Sequence, residues 1–186
     1  MRIISGKARG TKLFTLEGVE TRPTLDRVKE SMFNIISQEI PDATVLDLFS
    51  GSGSIGLEFA SRGAKKVYLC DNSKSAIDII NKNIKKTHFE DVTQILNCDF
   101  KKAFISLKNE KFDFIYIDPP YKTEYIKISL EEIINFKVLK ENGLIILETD
   151  DEKRIMDEIC DLNLNIIDQR KYGRVNLIFV KLNGKG

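Results

Sequence analysis

Little in this sequence is suited to holding a metal or a framework of disulfides. Its three cysteines, Cys70, Cys98 and Cys160, are odd in number, widely spaced and set among apolar neighbours, which fits neither a set of bridges nor a zinc site. Each reads as a small core residue in a reducing compartment, so the expectations are no metal and a cytoplasmic setting. Long apolar runs are missing as well. The longest, such as Ile115 to Ile117 and Leu144 to Leu147, fall far short of the ~20 residues that span a bilayer. The basic first residues lead into no apolar export segment, which argues against secretion and against a membrane partner. The only histidine, His88, follows a basic stretch beside Phe89, away from the strand ends discussed below, and reads as a loop residue. No internal repeat, low-complexity tract or Pro/Gly/Ser-rich linker divides the chain. One domain over residues 1–186 is expected, with a monomer as the default.

What is present is enough for a substantial core: 186 residues, 42% of them hydrophobic. The net charge of +1 hides an uneven distribution. Residues 1–30 carry +3 and residues 169–186 carry +5, so the middle carries −7. Basic ends around an acidic centre suit termini that meet phosphate and a centre that holds a cationic ligand, although terminal lysines and arginines are as readily just solvated.

Apolar, β-branched runs recur at Thr44 to Phe49, Lys66 to Asp71, Val92 to Cys98, Phe112 to Asp118 and Gly143 to Thr149. Between them lie stretches of helical spacing, such as Ile77, Ile80 and Ile84, or Leu130, Ile133 and Ile134 before a stop at Gly143. This alternation predicts a mostly parallel sheet with helices on both faces. Two further runs, Leu164 to Arg170 and Val175 to Leu182, flank Tyr172-Gly173 and predict a closing hairpin, so one strand of a seven-stranded sheet should run antiparallel. Ahead of this core, residues 41–186, residues 1–40 read as an arm of two short strands and a packing helix, Thr24 to Glu39, capped by Thr24.

The first strand ends in Asp47-Leu48-Phe49-Ser50-Gly51-Ser52-Gly53-Ser54-Ile55-Gly56. Glycines at such a turn allow a sharp reversal and let a ligand approach where a Cβ would collide. Taken alone this is a weak motif, compatible with a dinucleotide site or a tight structural turn. Asp71 ends the second strand, where a carboxylate can accept both hydroxyls of a ribose. Asp99 follows the third, where it can receive an adenine amino group. Each alone is an ordinary helix cap; together they outline an adenosine-shaped crevice. At the end of the fourth strand stands Asp118-Pro119-Pro120-Tyr121. Two prolines stiffen the turn and, lacking amide donors, leave carbonyls to accept hydrogen bonds. A carboxylate and the Pro119 carbonyl can hold the two hydrogens of an exocyclic amine, and Tyr121 offers a face for stacking a base.

The glycine turn and this tetrapeptide resemble the cofactor loop and catalytic motif of class I, Rossmann-like, S-adenosylmethionine-dependent amino-methyltransferases. The strings Arg2-Ile3-Ile4-Ser5-Gly6, Arg9-Gly10 and Arg22-Pro23-Thr24-Leu25-Asp26-Arg27-Val28-Lys29-Glu30-Ser31-Met32-Phe33-Asn34 narrow the resemblance to the RsmD family, over essentially the whole chain. That family implies methylation of a guanine N2 in 16S ribosomal RNA, with the assembled small subunit as partner. The resemblance further implies that Asp47, Phe49, Gly51 and Gly53 border the cofactor, that Asp71 binds its ribose and Asp99 its adenine. It implies that Asp118, Pro119, Pro120 and Tyr121 hold the target base. Arg2, Lys7, Arg9, Lys12, Arg22 and Arg27 are the expected RNA contacts, and Thr24 and Arg27 should lie near the cofactor mouth or the target.

Other functions share parts of this pattern. A nicotinamide dehydrogenase uses the glycine turn and Asp71 but has no need of Asp118-Pro119-Pro120-Tyr121. A DNA adenine-N6 methyltransferase uses the same tetrapeptide, yet only 67 residues separate Gly51 from Asp118, and two strand-helix units consume them. A noncatalytic RNA-binding module would leave the tetrapeptide idle. Protein-glutamine methyltransferases typically carry Asn in place of Asp118.

Overall fold

In the computed structural model, which describes residues 1–16, 23–120 and 123–183, with the side chains of residues 23–25 excepted, the five expected runs are strands. They are β1 (Thr44–Asp47), β2 (Lys66–Asp71), β3 (Thr93–Asn97), β4 (Phe112–Ile117) and β5 (Leu139–Thr149), and the closing hairpin adds β6 (Leu164–Tyr172) and β7 (Val175–Leu182). The helices are α1 (Pro23–Ile35), α2 (Ser54–Ser61), α3 (Lys74–Thr87), α4 (Phe100–Ser106), α5 (Tyr125–Phe136) and α6 (Glu152–Asp161). All seven strands form one sheet in the order β3-β2-β1-β4-β5-β7-β6. Pairs among β1 to β5 are parallel, and β7 runs antiparallel to both β5 and β6.

Side chains alternate across the strands and so feed two cores. Val45, Val67, Phe114 and Ile146 face α1, α2 and α3, meeting Met32, Phe33, Leu57 and Ile80. Leu46, Tyr68, Ile115 and Leu147 face α4, α5 and α6, meeting Phe104, Leu130 and Ile155. Right-handed crossovers would place consecutive helices on opposite faces only where the strand order reverses, and here it reverses between β1 and β4. The carboxyl ends of those two strands carry the glycine turn and the Asp118 segment.

The arm is attached to the core by buried polar groups. In place of the two short strands expected of the arm there is a single antiparallel bridge between Arg2 and Lys12, and Ile3 and Leu13 are buried in the α1–α3 core. Glu58 of α2, fully buried, accepts the amides of Ile4 (2.8 Å) and Ser5 (3.0 Å). Asn83 of α3 brackets Phe14, accepting its N–H (2.8 Å) and donating to its carbonyl (2.9 Å), and also donates to the Ser52 carbonyl of the glycine turn (2.8 Å). At the other end of the chain, Tyr172 bonds Ser31 of α1.

Three further expectations need correction. Gly143 does not stop a helix: α5 ends at Phe136, where Lys137 turns the chain with φ of 53°. Gly143 lies inside β5, whose pairing with β4 slips between Phe112 and Phe114, and a Cβ there would stand 2.9 Å from the Phe112 carbonyl oxygen. Thr24 is not the residue before α1, because the helix begins at Pro23, where a missing amide costs nothing; α1 itself stops at Ile35, with a separate 3-10 turn over Ser37–Glu39. Cys160 is exposed rather than in the core, because it follows the buried Ile159 and falls on the outer side of α6, whereas Cys70 is buried and Cys98 half-buried. His88 is, as expected, an exposed residue at a turn, closing α3 with φ of 58°.

Candidate active site

Two cavities meet at the β1/β4 switch point. The first, about 400 Å³, lies over the ends of β2 and β3 and is bordered by Asp71, Asp99, Phe100, Pro119 and Tyr125. The second, about 300 Å³, lies beneath α1 and the arm and is bordered by Met1, Lys29, Asp47, Tyr116 and Glu148. Phe49, Gly51 and Asp118 border both. A group bound across Gly51 would therefore have Asp118 at its midpoint.

The glycine turn is shaped by its neighbours. Gly51 has φ of 54°, a conformation costly for a side chain, and its N–H donates to Asp71 Oδ2 (2.9 Å). The other oxygen of Asp71 accepts the Ser73 amide (2.9 Å). Asp71 thus ties the end of β2 to the turn and still presents a carboxylate to the first cavity. Among the described residues, a Cβ on Gly51 would meet nothing within 4 Å, so the glycine leaves open space facing both cavities. Gly53 borders neither; with φ of 77° it turns the chain into α2. Asp99 caps α4 by accepting the Lys101 amide (2.9 Å) and borders the first cavity as well, so the two readings of this residue coexist.

Asp47 is buried beneath the turn. Its Oδ2 accepts the Gly56 amide (3.0 Å), while Oδ1 has no partner among the described residues. Burial raises its pKa to about 7, against the opposing Gly56 hydrogen bond, and the Asp71 charge adds to the rise. Asp118 is pushed well above the usual carboxylate range by burial, then by the charges of Glu148 and Asp47. Glu148 is raised by burial against the hydroxyl of Tyr116, which donates to it at 2.5 Å. Three carboxyls with elevated pKa values around one cavity favour a cation there.

A stability test follows from Asp47. A carboxyl whose pKa rises on folding, from 3.8 to about 7, contributes stability below the lower value that is lost as pH climbs through the higher one. Across that window the loss approaches about 4 kcal/mol. Asp47→Asn removes the titration, so without ligand the variant should gain on the wild type between about pH 5 and about pH 8. Thermal unfolding at the two pH values checks this; a gap that does not change would show that Asp47 carries no shifted proton.

The structure brings together Asp47, Phe49, Gly51, Asp71, Asp99, Asp118, Pro119 and Pro120 of the residues singled out from sequence. The Pro120 carbonyl accepts the Thr123 hydroxyl (2.9 Å), which fixes the turn after the second proline. Tyr121 and Arg22 lie outside the described residues, as does the Thr24 side chain. Arg2, Lys7, Arg9, Lys12 and Arg27 are exposed and border neither cavity; Arg2 stands 3.8 Å from Asp26. Sequence reading missed Phe100 and Tyr125, whose rings pack with Phe49 and with each other at 5.0 to 6.0 Å on the wall of the first cavity. It also missed Glu148, although an acid at the carboxyl end of the fifth strand is the same signal that marked Asp71.

This fold and strand-end site are those of an S-adenosylmethionine-dependent methyltransferase. The sequence matches, over residues 1–181, the family described as Conserved hypothetical protein 95. The chain belongs to that family, the RsmD family of the sequence resemblance. It is similar to Bacillus subtilis YlbH, 34% identical over 99% of this chain and 100% of the relative. It is also similar to Haemophilus influenzae Ribosomal RNA small subunit methyltransferase D, 34% identical over 84% of this chain and 82% of that protein. Among solved structures, Escherichia coli yhhF superposes with a TM-score of 0.85 at 27% identity, covering 100% of this chain and 99% of that one. No helix of the described residues is long and apolar enough to cross a membrane.

Proposed function

We propose that this enzyme transfers a methyl group from S-adenosylmethionine to the exocyclic N2 of a guanine in 16S ribosomal RNA, within the small ribosomal subunit and in the cytoplasm. The observation that carries the reading is the position of Asp118 between the two cavities. The relative named Ribosomal RNA small subunit methyltransferase D supports the RNA class, and the choice of guanine N2 rests on the N-terminal resemblance. The arm and the core, residues 1–40 and 41–186, act as one domain in this reading.

The residues present fit the cofactor. Asp71 and Asp99 offer acceptors for ribose and adenine, and Phe100 and Tyr125 offer aromatic walls. The side-chain-free Gly51 allows close approach, and the unpartnered Oδ1 of Asp47 suits an ammonium group. When bound, S-adenosylmethionine supplies a methyl carbon made electrophilic by its positive sulfur. The rest is positioning. Asp118 accepts one hydrogen of the target amine and the Pro119 carbonyl the other, which turns the nitrogen lone pair out of conjugation and toward the turn. The elevated pKa of Asp118 suits it to take the proton that the amine sheds. Tyr121 stacks the base, a contact worth ~1 to 3 kcal/mol. The exposed Arg2, Lys7, Arg9, Lys12 and Arg27, with Arg22, meet phosphates, and each lost contact lowers the salt slope of binding by ~0.7 to 0.9.

The direct test uses small subunits from cells lacking the enzyme. Incubated with purified protein and labelled cofactor, then digested to nucleosides, they should yield label in N2-methylguanosine by mass spectrometry. Label in N6-methyladenosine, or in duplex DNA and not in ribosomal RNA, would sink the assignment.

A further inference from the structure

We propose that Glu148 reads the target base, accepting the N1–H of guanine beside the amine that Asp118 holds; this rests on the guanine reading above. The argument begins with the sheet. β4 and β5 are parallel neighbours in which Tyr116 pairs with Ile146 and Ile117 with Leu147. The next residues, Asp118 just past the end of β4 and Glu148 still within β5, therefore stand side by side. Tyr116 and Ile146 face α1, and with a period of two so do Asp118 and Glu148. Both border the same cavity beneath α1.

Glu148 keeps one oxygen free for a ligand. It is 8% exposed, and among the described residues it makes one side-chain hydrogen bond, from the Tyr116 hydroxyl to Oε2, and no ion pair. Its Oε1 has no protein partner there and, unlike Asp47 Oδ1, is not sealed in the protein; it opens on the cavity, where a donor can meet it. Tyr116 aims the group without satisfying it, and the cavity supplies the direction in which a donor must come. Asp47, which borders the same cavity, has one oxygen anchored under the glycine turn by the Gly56 amide.

The chemistry of the base edge then decides what Glu148 can accept. Guanine presents N1–H and the N2 amine as adjacent donors, which two carboxyls standing abreast complement. Adenine presents its amine beside an N1 lone pair, which would face the Glu148 carboxylate without a proton between them. A site built to bond a donor rejects an analogue lacking it far more strongly than an apolar pocket can. Glu148 thus supplies the discrimination between the two amines that Asp118 and the prolines, by themselves, do not.

The probe is 2-aminopurine, which carries the same amine at C2 but has a lone pair at N1. Placed at the target position of a synthetic RNA, it should react more slowly than guanine with the wild-type enzyme, by about 10⁴-fold in kcat/KM. Glu148→Gln, whose amide can either accept or donate, should bring that ratio near one and leave cofactor affinity by calorimetry unchanged. Tyr116→Phe, which frees Glu148 from its aim, should narrow the ratio partway. An unchanged ratio in Glu148→Gln, or a loss that falls on cofactor affinity, would overturn the proposal. A wild-type ratio near one would do so without any variant. A wild-type enzyme that methylates no guanine fails the underlying reading, and that result is seen before any ratio is taken.

Discussion

Asp118→Ala should lower the single-turnover rate at saturating cofactor by ~10²- to 10⁴-fold, the range expected for losing a positioned acceptor and base, while S-adenosylmethionine binds with nearly unchanged affinity. The split follows from geometry. Asp71 and Asp99 face the nucleoside cavity, and Asp118 stands where that cavity opens into the second one. The side chain is placed by the last residues of β4, so its removal disturbs no helix and no core contact. It also relieves repulsion: Glu148 and Asp47 both act to raise the Asp118 pKa, so deleting the carboxyl should leave the apo protein as stable as before, or more so. A dead variant that unfolds at the wild-type temperature cannot be dismissed as misfolded. The wild-type rate should rise with pH, because the acceptor form of Asp118 is the ionised one and its pKa lies above the ordinary range; the variant should lose that rise. As Asp118 and Glu148 titrate together, the profile will report the pair and not one residue. Calorimetry for affinity and rapid quench for the methyl step separate the two effects. A rate close to the wild type would reduce Asp118-Pro119-Pro120 to a rigid loop.

Much of this site was legible because strand ends and turns advertise themselves in sequence. The alternation of β-branched runs with helical spacing predicts the parallel sheet, and acids at the ends of successive runs mark the crevice where strand order reverses. Hairpin residues around Gly173 predict the antiparallel β7. What was not legible comes from contacts between residues far apart in the chain. Nothing near Asn83 says that it will bracket Phe14 and the glycine turn, since an Asn in an amphipathic helix usually faces water. Tyr125 enters the first cavity from the start of α5, and its position depends on how that helix packs against α4. Gly143 misled because a glycine after a helical stretch usually ends it; here the αL turn is made by Lys137, and the glycine serves a slip in strand pairing. The strand-end rule, applied once more, would have found Glu148.

Glu58→Ala should cost about 3 to 5 kcal/mol of folding free energy at neutral pH, the usual penalty for stranding a buried charge. Glu58 is fully buried, and it lies 3.0 Å from the Lys29 ammonium and 2.9 Å from Arg62 Nε while accepting the amides of Ile4 and Ser5. Removing it leaves two amides and a buried ammonium without their acceptor. Lys29 keeps the Arg2 carbonyl (2.7 Å) and the Ser54 hydroxyl (3.2 Å), so it stays in place but loses its countercharge. Burial already holds the Lys29 pKa below 10.5, against the pull of Glu58, and without Glu58 it should fall further. A base whose pKa is lower folded than unfolded binds fewer protons when folded, so stability rises with pH in that window. The deficit of Glu58→Ala should therefore shrink between neutral pH and about pH 10, where the variant's Lys29 is neutral. Arg62, whose side chain is largely buried over the Phe33 ring but always charged, adds no such slope. The arm is the element released: Met1, Thr15 and Leu16 border the second cavity, and a looser arm should expose residues 1–16 to protease and slow methyl transfer even with saturating cofactor. Thermal unfolding at the two pH values and limited proteolysis check both parts. A loss below about 1 kcal/mol at neutral pH would place Glu58 with ordinary surface ion pairs; a deficit that stays constant with pH would show that Lys29 does not carry the stranded charge.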